Sequence, residues 1–188
     1  LRCILIGLPT WYMIGILVQR AGSHFAPAMG IDGVILSSRA VALFYLGLTF
    51  GDLGSGLSSQ YLRSRKKVVL AFLLFSAACV GAYLFGSHGW TATSFYALIF
   101  LMGLGMGYWA SFVTIAAEQF GTNLRATVAT TVPNFARGSL ILLTWGFTTL
   151  TTYYSAPQAG VILGIICFGS ALVALWGMEE TFSKDLDF

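Results

Sequence analysis

Six long runs of apolar residues follow one another along the chain, separated by short polar or charged segments. Each run approaches the ~20 residues that a helix needs to cross about 30 Å of hydrocarbon. The runs are too long and too uniformly apolar for the strands of a barrel, so the pattern predicts an all-α membrane protein with six transmembrane helices. The predicted spans cover residues 3–20, 40–62, 68–86, 95–117, 127–150 and 159–178.

Composition supports a membrane protein and excludes two other classes. Of the 188 residues, 57% are hydrophobic and 9% are charged, and the mean hydropathy is +0.81. Soluble domains carry about 25% charged residues, so a water-soluble globular domain is excluded. The net charge of +3 comes from few charges, and these form no broad basic face of the kind that nucleic acids bind. The lipid bilayer is therefore an expected partner and nucleic acid is not.

The basic residues give the spans an orientation. Six spans place both termini on one side, where seven Lys and Arg residues then fall against two on the other side. Because cytoplasmic loops are enriched in basic residues, we expect both termini in the cytoplasm, with a bacterial inner membrane as the location. The loop cluster that carries most of this signal serves as a topology anchor alone or also takes part in gating; it contains Arg63, Arg65, Lys66 and Lys67.

The start of the chain bears on its origin. Leu1 is not a start methionine, and no small-residue cleavage site follows the first apolar run. A secretory signal peptide would show such a site. We therefore expect a fragment or a processed chain.

The six spans fall into two groups of three with the same order of properties. The first and fourth contain aromatic and glycine clusters, the second and fifth each contain one deep Asp or Arg residue, and the third and sixth contain no charged residue. A charge-free helix can face lipid without penalty. This order predicts two inverted three-helix repeats, residues 3–86 and 95–178, within one bundle over 1–188 that ends in a cytoplasmic tail, 179–188. Small residues four apart let helices approach closely, and such pairs are Gly47 with Gly51, Gly103 with Gly107, and Gly160 with Gly164.

No cofactor or metal is expected, and neither is an enzyme. The cysteines, Cys3, Cys79 and Cys167, lie in predicted spans, and an odd number of them implies no disulfide or metal framework. His24 and His88 lie far apart in outer loops. The Gly-Ser-Gly sequence in the second span is similar to the serine motif of intramembrane proteases. A serine nucleophile needs a histidine base within reach, however, and no predicted span contains one.

Three segments resemble motifs of the major facilitator superfamily. Residues 51–67, GDLGSGLSSQYLRSRKK, resemble the glycine, acid and Arg/Lys-rich loop between helices 8 and 9, with serine or glutamine where an acid is usual. Residues 118–127, EQFGTNLRAT, resemble the E-x-F-P-T-x-x-R loop between helices 10 and 11 of sugar-porter-like and organic-ion-transporter-like members, with glycine in place of proline. Residues 180–186, ETFSKDL, are similar to the P-E-T-x-G-K-x-L end of the same branch.

The resemblance implies that the chain is the C-terminal half, helices 7–12, of a twelve-helix transporter. Such a protein works by alternating access, together with an N-terminal six-helix half that this chain does not include. Helices 9 and 12 are peripheral in that family, which agrees with the charge-free third and sixth spans. The implied function is secondary active transport of a small-molecule substrate, an organic anion or else a sugar or organic cation. A self-complete six-helix protein acting as a homodimer, or a noncatalytic assembly subunit, remains an alternative.

Two ionisable residues lie deep in predicted spans. Asp52 lies ten residues before Leu62, and Arg137 lies ten residues after Thr127. At 1.5 Å per residue, each is about 15 Å from the end of its span, near the bilayer centre. An ionised group there costs about 2.5–3.5 kcal/mol. A structural explanation is an Asp52–Arg137 ion pair, or a hydrogen bond from Asp52 to a neighbouring span.

A functional interpretation assigns the two residues different roles. Residues 136–139, ARGS, resemble the A-R-x-G-S segment of organic-anion-transporting relatives, whose arginine faces the cavity. A guanidinium group binds a carboxylate bidentately, which favours an organic anion as substrate. Asp52 is a candidate for proton coupling, because removal from water favours the neutral form of a carboxyl group. Asn134 lies one turn before Arg137 on the same helix face, and Pro133 predicts local unwinding there.

Two further groups complete the candidates. Aromatic residues of the first and fourth spans either line the substrate cavity or serve in packing; they are Trp11, Tyr12, Tyr108 and Trp109. Charged residues on the cytoplasmic side either form a gate that switches between two states or serve only as topology and surface charge. In the gate interpretation Glu118 pairs with Arg125 or with Arg63 or Arg65.

Overall fold

A computed structural model describes residues 2–118, 122–178, 180 and 182, with the backbone alone for residues 122–125. Within these residues the secondary structure is helical, apart from turns and one isolated bridge between Asp32 and Thr91. The predicted all-helical class is therefore confirmed. The α-helices are α1 (Arg2–Tyr12), α2 (Ala26–Met29), α3 (Ser37–Leu62), α4 (Arg65–Gly81), α5 (Ala92–Gly105), α6 (Trp109–Glu118), α7 (Thr122–Leu150) and α8 (Ala156–Trp176).

Each predicted span coincides with one helical segment, and three of these segments are irregular. The first joins α1 to α2 through the π-helical turns Met13–Val18 and Ala21–Phe25. The third extends α4 by a π-helical turn, Ala82–Gly86, and the fourth is divided into α5 and α6. Apolar side chains determine where these segments lie, which is why hydropathy locates them well.

Four of the described segments are long and apolar enough to cross a membrane: α3, α4 with its π-helical turn, α5 with α6, and α8. The first segment bends by 53°, and it makes a fifth if its two parts count as one span. Helix α7 is 29 residues long, but its threonine, asparagine and arginine side chains lower its hydropathy. The chain is therefore compatible with an integral membrane protein, and the count of six spans stays a prediction.

Glycines hold α3 against the α5–α6 segment at backbone distance. A Cβ atom added at Gly47 would lie 2.1 Å from the carbonyl oxygen of Phe100, and one at Gly107 would lie 2.0 Å from the carbonyl carbon of Gly51. No residue larger than glycine fits these positions without movement of the backbone. The close packing predicted from the glycine pairs of these helices is confirmed.

The interruption predicted in the fifth segment lies in the fourth instead. Helix α7 continues through Pro133 without a break, so the predicted unwinding there is wrong. A proline removes one backbone hydrogen bond, and the 29-residue helix α7 tolerates this loss. The chain leaves regular helix between Gly105 and Trp109, where the N–H groups of Met106 and Gly107 bond to carbonyls three residues back.

Most of the charged groups meet at one end of the bundle. The start of α1 reaches the end of α8, where the Arg2 guanidinium donates to the carbonyl oxygen of Gly177. The α3–α4 junction reaches the end of α6 at the same end, through Arg65 and Glu118. We call this region the basic end.

Candidate functional site

Three of the sequence candidates, Trp11, Trp109 and Arg137, line a cavity of about 120 Å³ between α1, α3, α6 and α7. The guanidinium carbon of Arg137 lies 5.2 Å from the ring centroid of Trp11, within the range of a cation–π interaction. The rings of Trp11 and Trp109 form a T-shaped, edge-to-face contact, with 6.0 Å between the ring centroids and 83° between the ring planes. Arg137, Trp11 and Trp109 therefore share one site, which we call the Arg137 site.

The polar groups of the Arg137 site are incompletely satisfied. Within the part of the chain that the structure describes, the guanidinium of Arg137 has neither a carboxylate partner nor a hydrogen-bond acceptor. The buried indole Nε1–H of Trp11 also lacks an acceptor among these residues. Buried polar groups are nearly always paired, so the Trp11 Nε1–H is a donor without its usual acceptor, and the exposed guanidinium of Arg137 adds a second, charged donor beside it.

Five of the eight residues that line the cavity were not among the candidates predicted from the sequence. The additional lining residues come from α1, the π-helical turn that follows it and α3, and they are Thr10, Ile14, Phe44, Tyr45 and Leu48. Thr10 precedes Trp11 directly, which is a usable signal. The α3 residues carry no such signal, because the chain has 15 phenylalanines and 8 tyrosines, and nothing in the local sequence distinguishes those that line this cavity.

Tyr12 and Tyr108 are fully buried and hold the helices together. The Tyr12 hydroxyl donates to the carbonyl oxygen of Gly160 at 2.6 Å, which joins α1 to α8. The Tyr108 hydroxyl donates to the carbonyl oxygen of Ile6 at 2.8 Å, which joins the α5–α6 interruption to α1. Neither side chain lines the 120 Å³ cavity. Their geometry fits the packing role that the sequence left open.

Asn134 lies on the exposed face of α7 beside Arg137. Its side-chain amide donates to the carbonyl oxygen of Thr130 at 2.9 Å, one turn earlier in the helix. With Arg137 and Trp145 it lines an open hollow of about 680 Å³ on the outside of α7. The two polar residues therefore share the helix face that the sequence predicted, with Asn134 at its rim.

Asp52 has a different setting from Arg137. Its Oδ1 accepts a hydrogen bond from the backbone N–H of Ala110 at 3.0 Å, at the start of α6. The first N–H groups of a helix have no partner within it, and a carboxylate satisfies both them and the helix dipole. Among the described side chains, no ion pair joins Asp52 to Arg137. Of the two structural explanations, the hydrogen bond to a neighbouring span is confirmed and the ion pair is wrong.

The predicted charge pairing at the basic end is present. Arg65 Nη2 lies 2.7 Å from Glu118 Oε1, and the two side chains are 17% and 13% exposed. The contact uses one oxygen and one nitrogen, and Arg65 Nε and Glu118 Oε2 have no partner among the described residues. Arg63 ends α3 with a left-handed backbone, φ 47°, and does not pair with Glu118. The Arg125 side chain lies outside the described residues.

Glu180 organises the start of α4, a role that sequence reasoning did not assign. Its carboxylate accepts hydrogen bonds from the Ser64 hydroxyl and from the backbone N–H of Arg65, the latter at 3.0 Å. Ser64 in turn accepts from the backbone N–H of Lys67 at 3.2 Å, as an N-cap residue does. The rest of the ETFSKDL motif, apart from residue 182, lies outside the described residues.

The site offers no metal centre, and similarity to known proteins does not identify it. Within residues 2–118, 122–178, 180 and 182, no three His, Cys, Asp or Glu side chains are placed to hold a metal ion. No family model matches the sequence, and no curated protein or solved structure matches it either. Any functional assignment therefore depends on the sequence motifs and on the geometry described above.

Proposed function

We propose that this chain is one half of a secondary active transporter that moves a small organic anion by alternating access. The observation that carries the proposal is the Arg137 site: a guanidinium held over an indole ring, at mid-length of α7 on its exposed face, with no carboxylate partner among the described residues. A permanent charge at that depth is costly. A carboxylate substrate would offset the cost by binding bidentately.

The helix packing supports two inverted three-helix repeats within a six-span bundle. The second segment packs against the fourth, and correspondingly the fifth packs against the first. The third segment packs against the fourth, and correspondingly the sixth packs against the first. Exchanging the first with the fourth segment, the second with the fifth and the third with the sixth reproduces this set of contacts. Such exchange symmetry is expected of repeat-built transporters. Trp11 and Trp109, which meet in the Arg137 site, come from the first segment and the fourth.

A partner half is supported by the exposed side chains of α3 and α7. Phe50 and Leu53 on α3 are 55% and 64% exposed, and Phe135 and Ile141 on α7 are 64% and 76% exposed. On α7 these apolar residues flank the exposed Arg137. A face that mixes large apolar groups with a guanidinium suits a protein partner better than lipid. The N-terminal six-helix half would cover this face and complete the cavity.

The basic end supplies a candidate gate. The Arg65–Glu118 pair joins α4 to α6, and each side chain retains an atom without a partner among the described residues. Charge pairs that can exchange partners bias one conformation over another. In this proposal the basic end faces the cytoplasm of a bacterial cell, with both termini there, and the pair contributes to closure on that side.

The two tryptophans also give a specific reason to consider a sugar substrate. Flat indole faces pack against the apolar faces of sugar rings, and the free Nε1–H of Trp11 would donate to a hydroxyl group. A sugar would not need the charge of Arg137, so the two candidates predict different results for the same substitution.

Uptake by the full-length parent protein tests the proposal. Arg137→Ala is expected to abolish uptake of an anionic substrate while expression is unchanged, and Arg137→Lys is expected to restore little, because an ammonium lacks the planar fork. Arg39→Ala is the matched control, since Arg39 lies 4.8 Å from the Tyr96 ring centroid in a similar cation–π contact outside the site. Wild-type uptake by the Arg137→Ala protein would contradict the proposal.

The isolated six-helix chain tests the requirement for a second half. We expect no uptake by this chain alone in proteoliposomes, because one wall of the cavity is then open. Measured uptake would favour the alternative of a self-complete protein that acts as a homodimer.

A further inference from the structure

Two hollows lie between α4 and α8, two helices that do not line the Arg137 site, and we call them together the α4–α8 groove. The hollow at the basic end has a volume of about 420 Å³ and is lined by Lys66, Leu70, Leu172, Leu175 and Trp176. A second hollow of about 190 Å³ lies further along the same two helices, beginning at Ala77 on α4. The walls are apolar throughout, with the single exception of the Lys66 ammonium at the wide end.

Lys66 is fixed at the mouth of this α4–α8 groove. Its Nζ donates to the backbone oxygens of Trp176 at 3.0 Å and Met178 at 2.7 Å. An ammonium group has three donors, so one N–H remains for a further acceptor. The lysine thus closes the end of α8 and also presents a positive charge to whatever occupies the groove.

Trp176 marks the level at which the groove meets the membrane surface. Its side chain is 87% exposed on the last turn of α8. Tryptophan is enriched where hydrocarbon gives way to lipid headgroups. Because the Trp176 carbonyl oxygen is bonded to Lys66, a Trp176 side chain at the level of the headgroups would place the ammonium at the same level and the hollow at the level of the acyl chains.

Positive charge at the mouth exceeds negative charge among the described residues. Arg65 is neutralised by Glu118, and the Glu180 carboxylate is engaged with Ser64 and the start of α4. Three basic side chains at the mouth form no salt bridge with a described acidic residue, and none of the three is fully buried; they are Arg63, Lys66 and Lys67. Basic pockets between membrane helices bind anionic lipid headgroups.

The dimensions of the groove match one leaflet. From Lys66 to Ala77, where the second hollow begins, α4 rises by about 16 Å at 1.5 Å per residue. Half of a hydrocarbon core of about 30 Å is ~15 Å. An acyl chain whose headgroup is held at Lys66 would therefore fill the first hollow and reach the second.

We infer that the α4–α8 groove is a binding site for an anionic phospholipid from the leaflet at the basic end. The phosphate-bearing headgroup accepts from the free N–H of Lys66, Trp176 packs at the glycerol level, and one acyl chain lies along Leu70 and Leu172. The site is independent of substrate transport, and it requires only that the chain is embedded in a bilayer.

Quenching of Trp176 fluorescence by brominated lipids tests this inference. The full-length protein is reconstituted in phosphatidylcholine vesicles that contain a minor fraction of either brominated phosphatidylglycerol or brominated phosphatidylcholine. The Trp176 signal is the difference between wild type and Trp176→Phe. We expect brominated phosphatidylglycerol to be preferred at Trp176 by about fivefold, the factor that one basic contact near the surface provides.

Two substitutions separate a lysine-specific site from general surface charge. Lys66→Gln is expected to remove the preference, while Lys67→Gln, an equal change of charge at an exposed neighbour outside the groove, is expected to retain it. Equal quenching by both lipids in wild type, or equal effects of the two substitutions, would overturn the inference.

A third substitution covers the event that Lys66→Gln does not fold. Leu70 is 40% exposed and lines the hollow, so Leu70→Phe narrows the groove without a change of charge. It is expected to weaken quenching by both lipids. Unchanged quenching in Leu70→Phe would also overturn the inference. So would the absence of Trp176 quenching by either lipid in the wild type, because it would show that protein covers the groove.

Discussion

Asp52 and Arg137 are the two ionisable residues at mid-bundle depth, and the structure treats them differently. Asp52 is half-buried, and its carboxylate is bonded to the backbone N–H of Ala110 at the start of α6. Arg137 is exposed on α7, and its guanidinium makes a cation–π contact with the face of the Trp11 ring. The carboxylate of Asp52 accepts a hydrogen bond from a helix terminus, whereas the guanidinium of Arg137 has no acidic or hydrogen-bonding partner among the described residues.

This difference shows how to separate structural from functional charges in a membrane bundle. Depth alone assigns both residues the same cost. What distinguishes them is whether the surrounding backbone already satisfies the group. By this criterion Arg137 is the stronger candidate for substrate binding. A coupling role for Asp52 would place the proton on Oδ2, because Oδ1 accepts from the backbone N–H of Ala110 and can do so in both protonation states.

The largest effect is expected where Asp52 is held in place, at the contact between α3 and the α5–α6 interruption. Gly107→Ala would put a methyl group 2.0 Å from the carbonyl carbon of Gly51, which forces the backbones apart. We expect a loss of about 3 kcal/mol in the free energy of unfolding, measured by thermal denaturation in detergent.

Gly54→Ala is the matched control, because no heavy atom lies within 4 Å of an added Cβ there. That substitution is expected to be neutral or to stabilise α3 by up to about 1 kcal/mol. Equal stability of the two variants would show that the α3–α6 contact, and with it the setting of Asp52, is described wrongly.

A smaller effect is expected from Asp52 itself. Asp52→Ala removes the acceptor for the Ala110 N–H and should cost about 1 kcal/mol, as loss of a helix cap does. Asp52→Asn keeps an oxygen acceptor, so its stability should stay close to that of wild type.

Transport by the same Asp52→Asn protein then addresses coupling. If Asp52 also carries the coupling proton, as the sequence suggested, this stable variant loses the pH dependence of uptake. Equal pH dependence in variant and wild type would leave Asp52 with a structural role alone.

The smallest effect on stability is expected from the Arg65–Glu118 pair, in which each charged side chain is bound by a side chain of opposite charge. A double-mutant cycle with Arg65→Ala and Glu118→Ala should give a coupling energy of about 0.5 kcal/mol. The pair is mostly buried, at 17% and 13% exposure, so we expect the coupling to weaken little in high salt. A coupling energy near zero would mean that the contact does not help to close the basic end.

Much of the fold follows from the sequence, because apolar runs determine where helices lie. All six predicted spans coincide with helical segments, and the glycine pairs of α3 and α5–α6 pack as expected. The interruption between Gly105 and Trp109 was not predicted, since it depends on the approach of α3 from elsewhere in the chain. The proline at 133, which is a local signal, was outweighed by the length of α7.

The candidate site was predictable only in part. Motifs and depth pointed to Arg137, and aromatic clusters pointed to Trp11 and Trp109, but their contact is long-range and has no local signature. The partner of Asp52 is a backbone N–H group, which no pattern of side chains reveals. The role of Glu180 at the start of α4 likewise joins residues from distant parts of the sequence.

The central claim is that Arg137 binds the anionic group of a substrate, and ligand-induced stabilisation of the purified full-length protein tests it most directly. The melting temperature is measured with a panel of carboxylates, each paired with its neutral amide. A carboxylate at 100 times its dissociation constant should stabilise the wild type by about 2.7 kcal/mol, while its amide has little effect and Arg137→Ala responds to neither. Stabilisation by neutral sugars that is the same in wild type and Arg137→Ala would contradict the account.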